Sequence, residues 1–197
     1  MRIKYSKVTT EPALEPIASS LAKIDLKVDN TVEDGLIAIL IQASREMVEQ
    51  FTNRSLITQT REIRMDYFPS YEITLLNGPV QSVASISYYD DNNDLIVFPA
   101  GSYWTDTHSD IARVVVKDSW PSTYDRPNAV IITYVCGYGS AAEDVPAPLR
   151  KAILFILGHL YENRQNVIVS GSPTAAMEIP FGAQLLMNTY VLEQPVI

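Results

Sequence analysis

Cysteine and histidine are almost missing from this chain. Its 197 residues hold one cysteine, Cys136, and two histidines, His108 and His159. A single thiol excludes an internal disulfide and a cysteine-based zinc site, and two imidazoles exclude a three-histidine metal centre. Long apolar runs are missing too. The longest, such as Leu36–Ile41 and Ala152–Leu157, fall far short of the roughly 18 residues of a membrane span. The first residues, MRIKYSKVTTEPALEP, contain no apolar h-region of a signal peptide. A soluble, reduced, cytosolic chain is the expectation. Positive charge is also scarce: Lys and Arg number 15 against 23 Asp and Glu, for a net charge of −8. A protein that grips nucleic acid gathers phosphates with a basic face. That role is excluded, although a place beside DNA is not.

What is present is enough apolar residue, 47%, to build a core. Residues 1–30 show little periodicity, and Glu11-Pro12 and Glu15-Pro16 bias the chain toward extended or turn geometry. This stretch reads as an irregular N-terminal arm. Residues 31–53 read as an amphipathic helix. Thr31 and Asp34 resemble a capping box, and Leu36, Leu40, Ala43, Met47 and Phe51 recur at intervals of three and four. Ile37, Ile41 and Val48 widen that stripe, and Asn53 is a stop signal. From 56 to 135 the period changes to two, with turn residues between runs, giving about seven short strands. Short strands close in sequence favour antiparallel hairpins. Residues 147–164 read as a second helix, opened by proline and lined by Leu149, Ala152, Ile153, Ile156, Leu160 and Tyr161. Its partner face includes Leu40, Met47 and Phe51, so Leu40, Met47, Phe51, Ile153, Ile156 and Leu160 form the expected subunit core. Residues 165–197 combine a linker containing SGSP with an apolar docking arm: Phe181, Leu185, Leu186 and Tyr190. The fold class is therefore α+β, two packed amphipathic helices with an inserted antiparallel β block and terminal arms. Residues 31–164 are its main domain.

The clusters that suggest chemistry each have a plainer reading. Asp90, Asp91, Asn92, Asn93 and Asp94 lack the alternation, glycine and distal Glu of a calcium loop, and suit a solvated hairpin turn. Asp106, His108 and Ser109 adjoin in sequence, but a triad needs geometry assembled from separate segments. His159 falls on the second helix without an evident partner for acid–base work. Cys136 suits a small buried apolar seat. Gly137-Tyr138-Gly139 has neither the dinucleotide nor the Walker spacing. No catalytic, metal or cofactor site is expected. Eleven tyrosines and two tryptophans fit either a sheet core with its edges or a contact surface. An apolar arm after a linker has reason to exist only if it docks on something.

Four segments, taken in order, resemble a known family. The first helix runs into Glu49, Thr52, Arg54, Leu56, Gln59 and Thr60. Leu76-Asn77-Gly78-Pro79-Val80-Gln81-Ser82-Val83 leads to Ile86 and Tyr88. Tyr134-Val135-Cys136-Gly137-Tyr138-Gly139 precedes Asp144-Val145-Pro146, Leu149, Ala152 and Ile153, and ends in Leu160-Tyr161-Glu162-Asn163-Arg164. Ile179-Pro180-Phe181-Gly182 precedes Leu185, Leu186 and Tyr190. Over residues 31–191 this order resembles the head-tail connector (adaptor) proteins of long-tailed bacteriophages and gene transfer agents, in the branch with a β insertion between two helices. Thr189 and Val191 stand where relatives often carry Pro and Arg.

The resemblance implies a structural protein without catalysis or cofactor. It implies a homo-oligomeric ring, commonly of twelve copies, beneath the portal protein in the neck of a virion assembled in a bacterial cytoplasm. Such a ring extends the DNA channel and offers a platform to a head-completion (stopper) or tail protein. DNA passes without specific binding, and no membrane is involved. Phe181, Leu185, Leu186 and Tyr190 would then bind the portal or a neighbouring subunit. A net charge of −8 suits a channel wall that does not hold phosphates. The alternative is a small cytosolic enzyme or ligand-binding module, for which the 106–110 loop is the candidate cluster. A stopper ring is a third reading, disfavoured by the two helices.

Overall fold

The computed structural model describes residues 5–164 and 179–193. In chain order the elements are β1 (Tyr5–Thr10), α1 (Ser19–Leu26), α2 (Asp34–Thr52), β2 (Gln59–Met65), β3 (Glu72–Thr74), β4 (Val80–Tyr89), β5 (Leu95–Val97), β6 (Tyr103–Asp106), β7 (Arg113–Val116), β8 (Val130–Cys136), α3 (Ala147–Glu162) and α4 (Phe181–Asn188). The fold is α+β: two helices flank an antiparallel β insertion of seven short strands, β2–β8. The chain divides into a β unit (Met1–Ala13, Asn53–Ser140 and Leu192–Ile197) and a helical unit (Leu14–Thr52 and Ala141–Val191).

The β unit contains a five-stranded sheet of order β1-β2-β8-β4-β5 and a three-stranded sheet of order β3-β7-β6. Every named pairing is antiparallel. Strand β8 shows why the period-two pattern works: Val130, Ile132, Tyr134 and Cys136 are buried while the residues between them are half-buried. Ile63 and Met65 of β2 and Ile86 of β4 join them. From the small sheet, Ile73, Tyr103, Val114 and Val116 enter the same apolar cluster. Each such aliphatic side chain contributes about 1.5–3 kcal/mol when fully removed from water. Tyr134 reconciles its polar end with full burial by donating a hydrogen bond to the Leu76 carbonyl at 2.9 Å. Burial raises its phenol well above the ordinary value. Phe68 stacks on Trp120 at 4.6 Å and 4°, which extends the core through Phe98 and Tyr88.

Two turns rely on backbone geometry that most residues avoid. Asn53, with φ 55°, ends α2 in the left-handed region, and its amide donates to the Leu192 carbonyl at 3.0 Å. Gly137 has φ +122°, and a Cβ there would lie 2.5 Å from the Ile57 carbonyl carbon. Glycine is required at this position by both conformation and space.

In the helical unit α1, α2, α3 and α4 pack on one another. The α3 face is apolar: Leu149, Ala152, Ile153, Ile156 and Leu157 are buried. The buried stripe of α2 keeps the widening residues Ile37, Ile41 and Val48 but is centred away from Leu40, Met47 and Phe51. It is Ile37, Ile41, Ser44, Arg45, Val48, Glu49 and Thr52, whereas Leu40, Met47 and Phe51 are only half-buried. At about 100° per residue the two stripes lie roughly a third of a turn apart. Four of the seven buried residues are polar and can stay inside because their groups are satisfied. Ser44 and Thr52 donate to the Leu40 and Val48 carbonyls, each at 2.7 Å. Arg45 pairs with Glu49 at 2.9 Å and Glu15 at 2.8 Å. Burial opposes its charge, but Glu49 and Glu15 outweigh that and hold the guanidinium above its ordinary range. Leu160 of α3 is also half-buried, while Ile153 and Ile156 are fully inside.

Residues 5–30 are more regular than expected. They carry β1, an edge strand of the large sheet, and α1. The expected capping box at Thr31 is replaced by other partners: Asn30 accepts from the Val32 amide at 3.0 Å, and Asp34 pairs with Lys23 at 2.7 Å. The SGSP linker lies outside the described residues.

Candidate interaction surface

The polar clusters resolve into turns. In the 106–110 loop, Ser109 donates its hydroxyl to Asp106 Oδ2 at 2.7 Å. The amides of His108 and Ser109 donate to Oδ1, each at 3.2 Å. The Ser109 hydrogen bonds come first among the causes that hold the Asp106 carboxyl below its ordinary value. His108 joins through its backbone, so serine and carboxylate meet directly without an imidazole between them. A relay needs the opposite order. Asp90 Oδ1 accepts the amides of Asn92 and Asp94, each at 2.9 Å, which is side-chain-closed turn chemistry. His159 Nδ1 lies 3.4 Å from the Asn163 side chain. Cys136 is buried and donates to Ser55 Oγ at 3.2 Å. Among the described residues no group of three or more His, Cys, Asp or Glu could hold a metal ion, and no helix is long and apolar enough to cross a membrane. A recess in the β unit is lined by Asn53, Leu75, Leu76, Asn77, Ile111, Leu192 and Glu193, with Glu193 as the one charged residue of that lining.

Apolar surface is the more informative feature. Helix α4 buries Ala183 and Met187 and turns Phe181 and Leu185 outward, 79% and 61% exposed. Leu186 and Tyr190 are half-buried at its flank. Gly182 lets α4 approach Phe155 of α3, whose ring edge would lie 3.3 Å from an added Cβ. Phe155 is itself exposed and carries Lys151 over its ring at 4.6 Å. The four arm residues therefore divide into two outward anchors and two that are shared with the helix flank.

A second apolar strip runs along α2. Leu36 and Ile39 are exposed, and Leu40, Ala43 and Met47 are half-buried. The period-three-and-four pattern that marks α2 in the sequence thus includes a strip that the described residues leave partly or wholly uncovered. Near it, the ends of two helices are latched. Glu33 accepts from the Tyr161 hydroxyl at 2.5 Å and pairs with Arg164 at 2.6 Å, and the Arg164 guanidinium lies over the Tyr161 ring at 4.4 Å. The Tyr161 hydrogen bond, followed by that from Arg164, keeps the Glu33 carboxyl below its ordinary value. The Tyr161 phenol is raised in return.

No protein-family model and no curated protein matches the sequence. Solved structures do match the fold. A chain in the neck of an empty gene transfer agent particle, computed with C6 symmetry, superposes with a TM-score of 0.79 at 16% identity over 96% of both chains. A chain in the virion of a native gene transfer agent particle gives 0.77 at 18% identity, also over 96% of both. A chain in the neck of a native particle, computed with C12 symmetry, gives 0.68 at 17% identity over 94% of this chain and 96% of that one. This chain shares their fold along nearly its whole length.

Proposed function

We propose that this protein is a structural, non-catalytic subunit of the neck of a phage-like or gene-transfer-agent particle: a head-tail adaptor. Copies form a ring beneath the portal, extend the DNA channel and present a platform to a stopper or tail protein. The observation that carries the reading is apolar surface left uncovered on two helices, Leu36 and Ile39 on α2 and Phe181 and Leu185 on α4. Strips of this kind mark protein contacts. The α2 strip suits a sideways contact between copies. The α4 side chains suit a clasp on the portal, because apolar residues on one face of a helix can seat in a hydrophobic groove of a partner. The likeness to chains of necks computed with C6 and C12 symmetry supports a cyclic assembly. A heterologous contact that closes is what a ring requires.

The test is mass determination of the protein alone and with a purified twelvefold portal. A ring or portal complex is expected. The double variant Phe181→Ser/Leu185→Ser should keep its thermal midpoint and lose at least tenfold in portal affinity. Unchanged affinity would remove the clasp, and the absence of any ring or portal complex for the unaltered protein would remove the adaptor reading.

A further inference from the structure

Strand β5 is the outermost strand of the large sheet, and its three residues, Leu95, Ile96 and Val97, are all apolar and all exposed. Its backbone shows which groups are unused. Phe98 donates to the Ile86 carbonyl at 2.7 Å and Asp90 to the Asp94 carbonyl at 3.0 Å, and Ile96 stands opposite Tyr88 between them. Antiparallel pairing alternates, so Ile96 turns its N–H and C=O toward β4. Leu95 and Val97 turn theirs outward. Natural edges are usually blunted by lysine, proline or a bulge, and β5 has none of these within its run.

The opposite edge of the same sheet is β1, whose Lys7, Thr9 and Thr10 are exposed. Its pairing register is continuous from Tyr5 to Val8 and breaks only before Thr10. That leaves enough regular edge for a three-residue partner. The charges of the two edges differ in sign. The turn leading into β5 holds Asp90, Asp91 and Asp94, while β1 carries Lys7, and the β2 residues along it are Arg61, Glu62 (directly opposite Lys7) and Arg64, so positive charge remains in excess there. Two β5 edges would bring acidic turns together, whereas β5 against β1 joins opposite charges. Contact between two different edges is also the kind that propagates around a ring, while like edges stop at a dimer.

We propose that the five-stranded sheet continues from copy to copy, the β5 edge of one subunit pairing with the β1 edge of the next. This rests on the ring reading and names a surface that closes the ring. The two edges of one copy are four strand spacings apart, about 19 Å. A disulfide, which needs Cα atoms within about 7 Å, therefore cannot form between them inside one subunit.

The experiment uses the full chain assembled on purified portal. Lys7→Cys combined with Leu95→Cys, and separately with Val97→Cys, is oxidised and run without reductant. A covalent ladder of this chain, climbing to the ring, is expected from at least one pair and from neither single variant. Val97→Pro removes an outward donor and no bond to β4. It should leave the thermal midpoint within a few degrees and weaken assembly at least tenfold. A ring of full mass without a ladder from either pair, or cross-links to portal instead of to this chain, would overturn the edge pairing and leave the adaptor reading intact. If the unaltered protein forms no ring, both fall together.

Discussion

The β unit and the helical unit bury their interiors by different means. In the β unit the inside is mostly aliphatic and aromatic, with Ser55 and Gln59 buried as well and Tyr134 anchored on the Leu76 carbonyl. In the helical unit one helix contributes more polar than apolar residues to the buried stripe, and Arg45 with Glu49 and Glu15 stands within it. The apolar side chains that α2 holds back from its own interior remain on its surface. Both units also leave apolar side chains outside: the β unit at its margins, as at Leu95 and Val97 of β5, and α2 along one face of a helix, at Leu36 and Ile39.

That contrast can be broken experimentally, because both tryptophans, Trp104 and Trp120, lie in the β unit. Their fluorescence follows one unit, while helical circular dichroism follows chiefly the other. The largest effect is expected from Gly137→Ala. A Cβ at φ +122°, 2.5 Å from backbone atoms of Ile57, should cost more than about 4 kcal/mol and shift the tryptophan transition. A destabilisation below 1 kcal/mol would show that the turn relaxes freely. Next is Arg45→Ala. Removing one partner of a buried pair costs about 3–5 kcal/mol, and the partly exposed Glu15 argues for the lower end. The helical signal should melt earlier. Arg45→Met with Glu49→Leu should recover most of that loss. Failure to recover would mean that the charges fix the packing of α2 and do more than balance each other.

The smallest effect concerns the Glu33 latch. Its carboxyl titrates below the ordinary value of 4.5 because Tyr161 and Arg164 hold the charged form. The contribution is therefore present above pH 4.5 and fades as the pH falls through the lowered value. On the alkaline side the raised Tyr161 phenol keeps its proton past its ordinary value, and the hydrogen bond is lost as pH rises through the raised one. Protection from amide exchange at the last turn of α3, taken relative to the unstructured rate at each pH, should fall at both extremes. In Glu33→Gln the acid limb should flatten, and an unchanged acid limb would remove the latch from the account.

The strands were legible because a sheet buried on one face writes its alternation into the sequence, and β2–β8 each carry it or are bracketed by turn residues. The first two elements were not. Strand β1, YSKVTT, is a polar edge strand, and α1 buries only Ala22, so neither shows an apolar period. The interior of α2 was legible at Ile37, Ile41 and Val48, but its polar members were missed and Leu40, Met47 and Phe51 are only half-buried, for a related reason. Periodicity finds apolar residues, not buried ones, and Arg45 and Glu49 become core-compatible only once their partners are in place. Of the C-terminal segment, Phe181 and Leu185 stand outward, while the burial of Ala183 and Met187 was invisible without the helix in position. The open edge at β5 was hidden as well, since a run of three apolar residues reads the same whether a strand lies in the middle of a sheet or at its margin.

The backbone passes between the two units four times, after Ala13, Thr52, Ser140 and Val191. In an assembly that carries load along its axis, tension on one unit would reach the other through four covalent lines instead of a single tether. A protease that cuts one crossing leaves three intact.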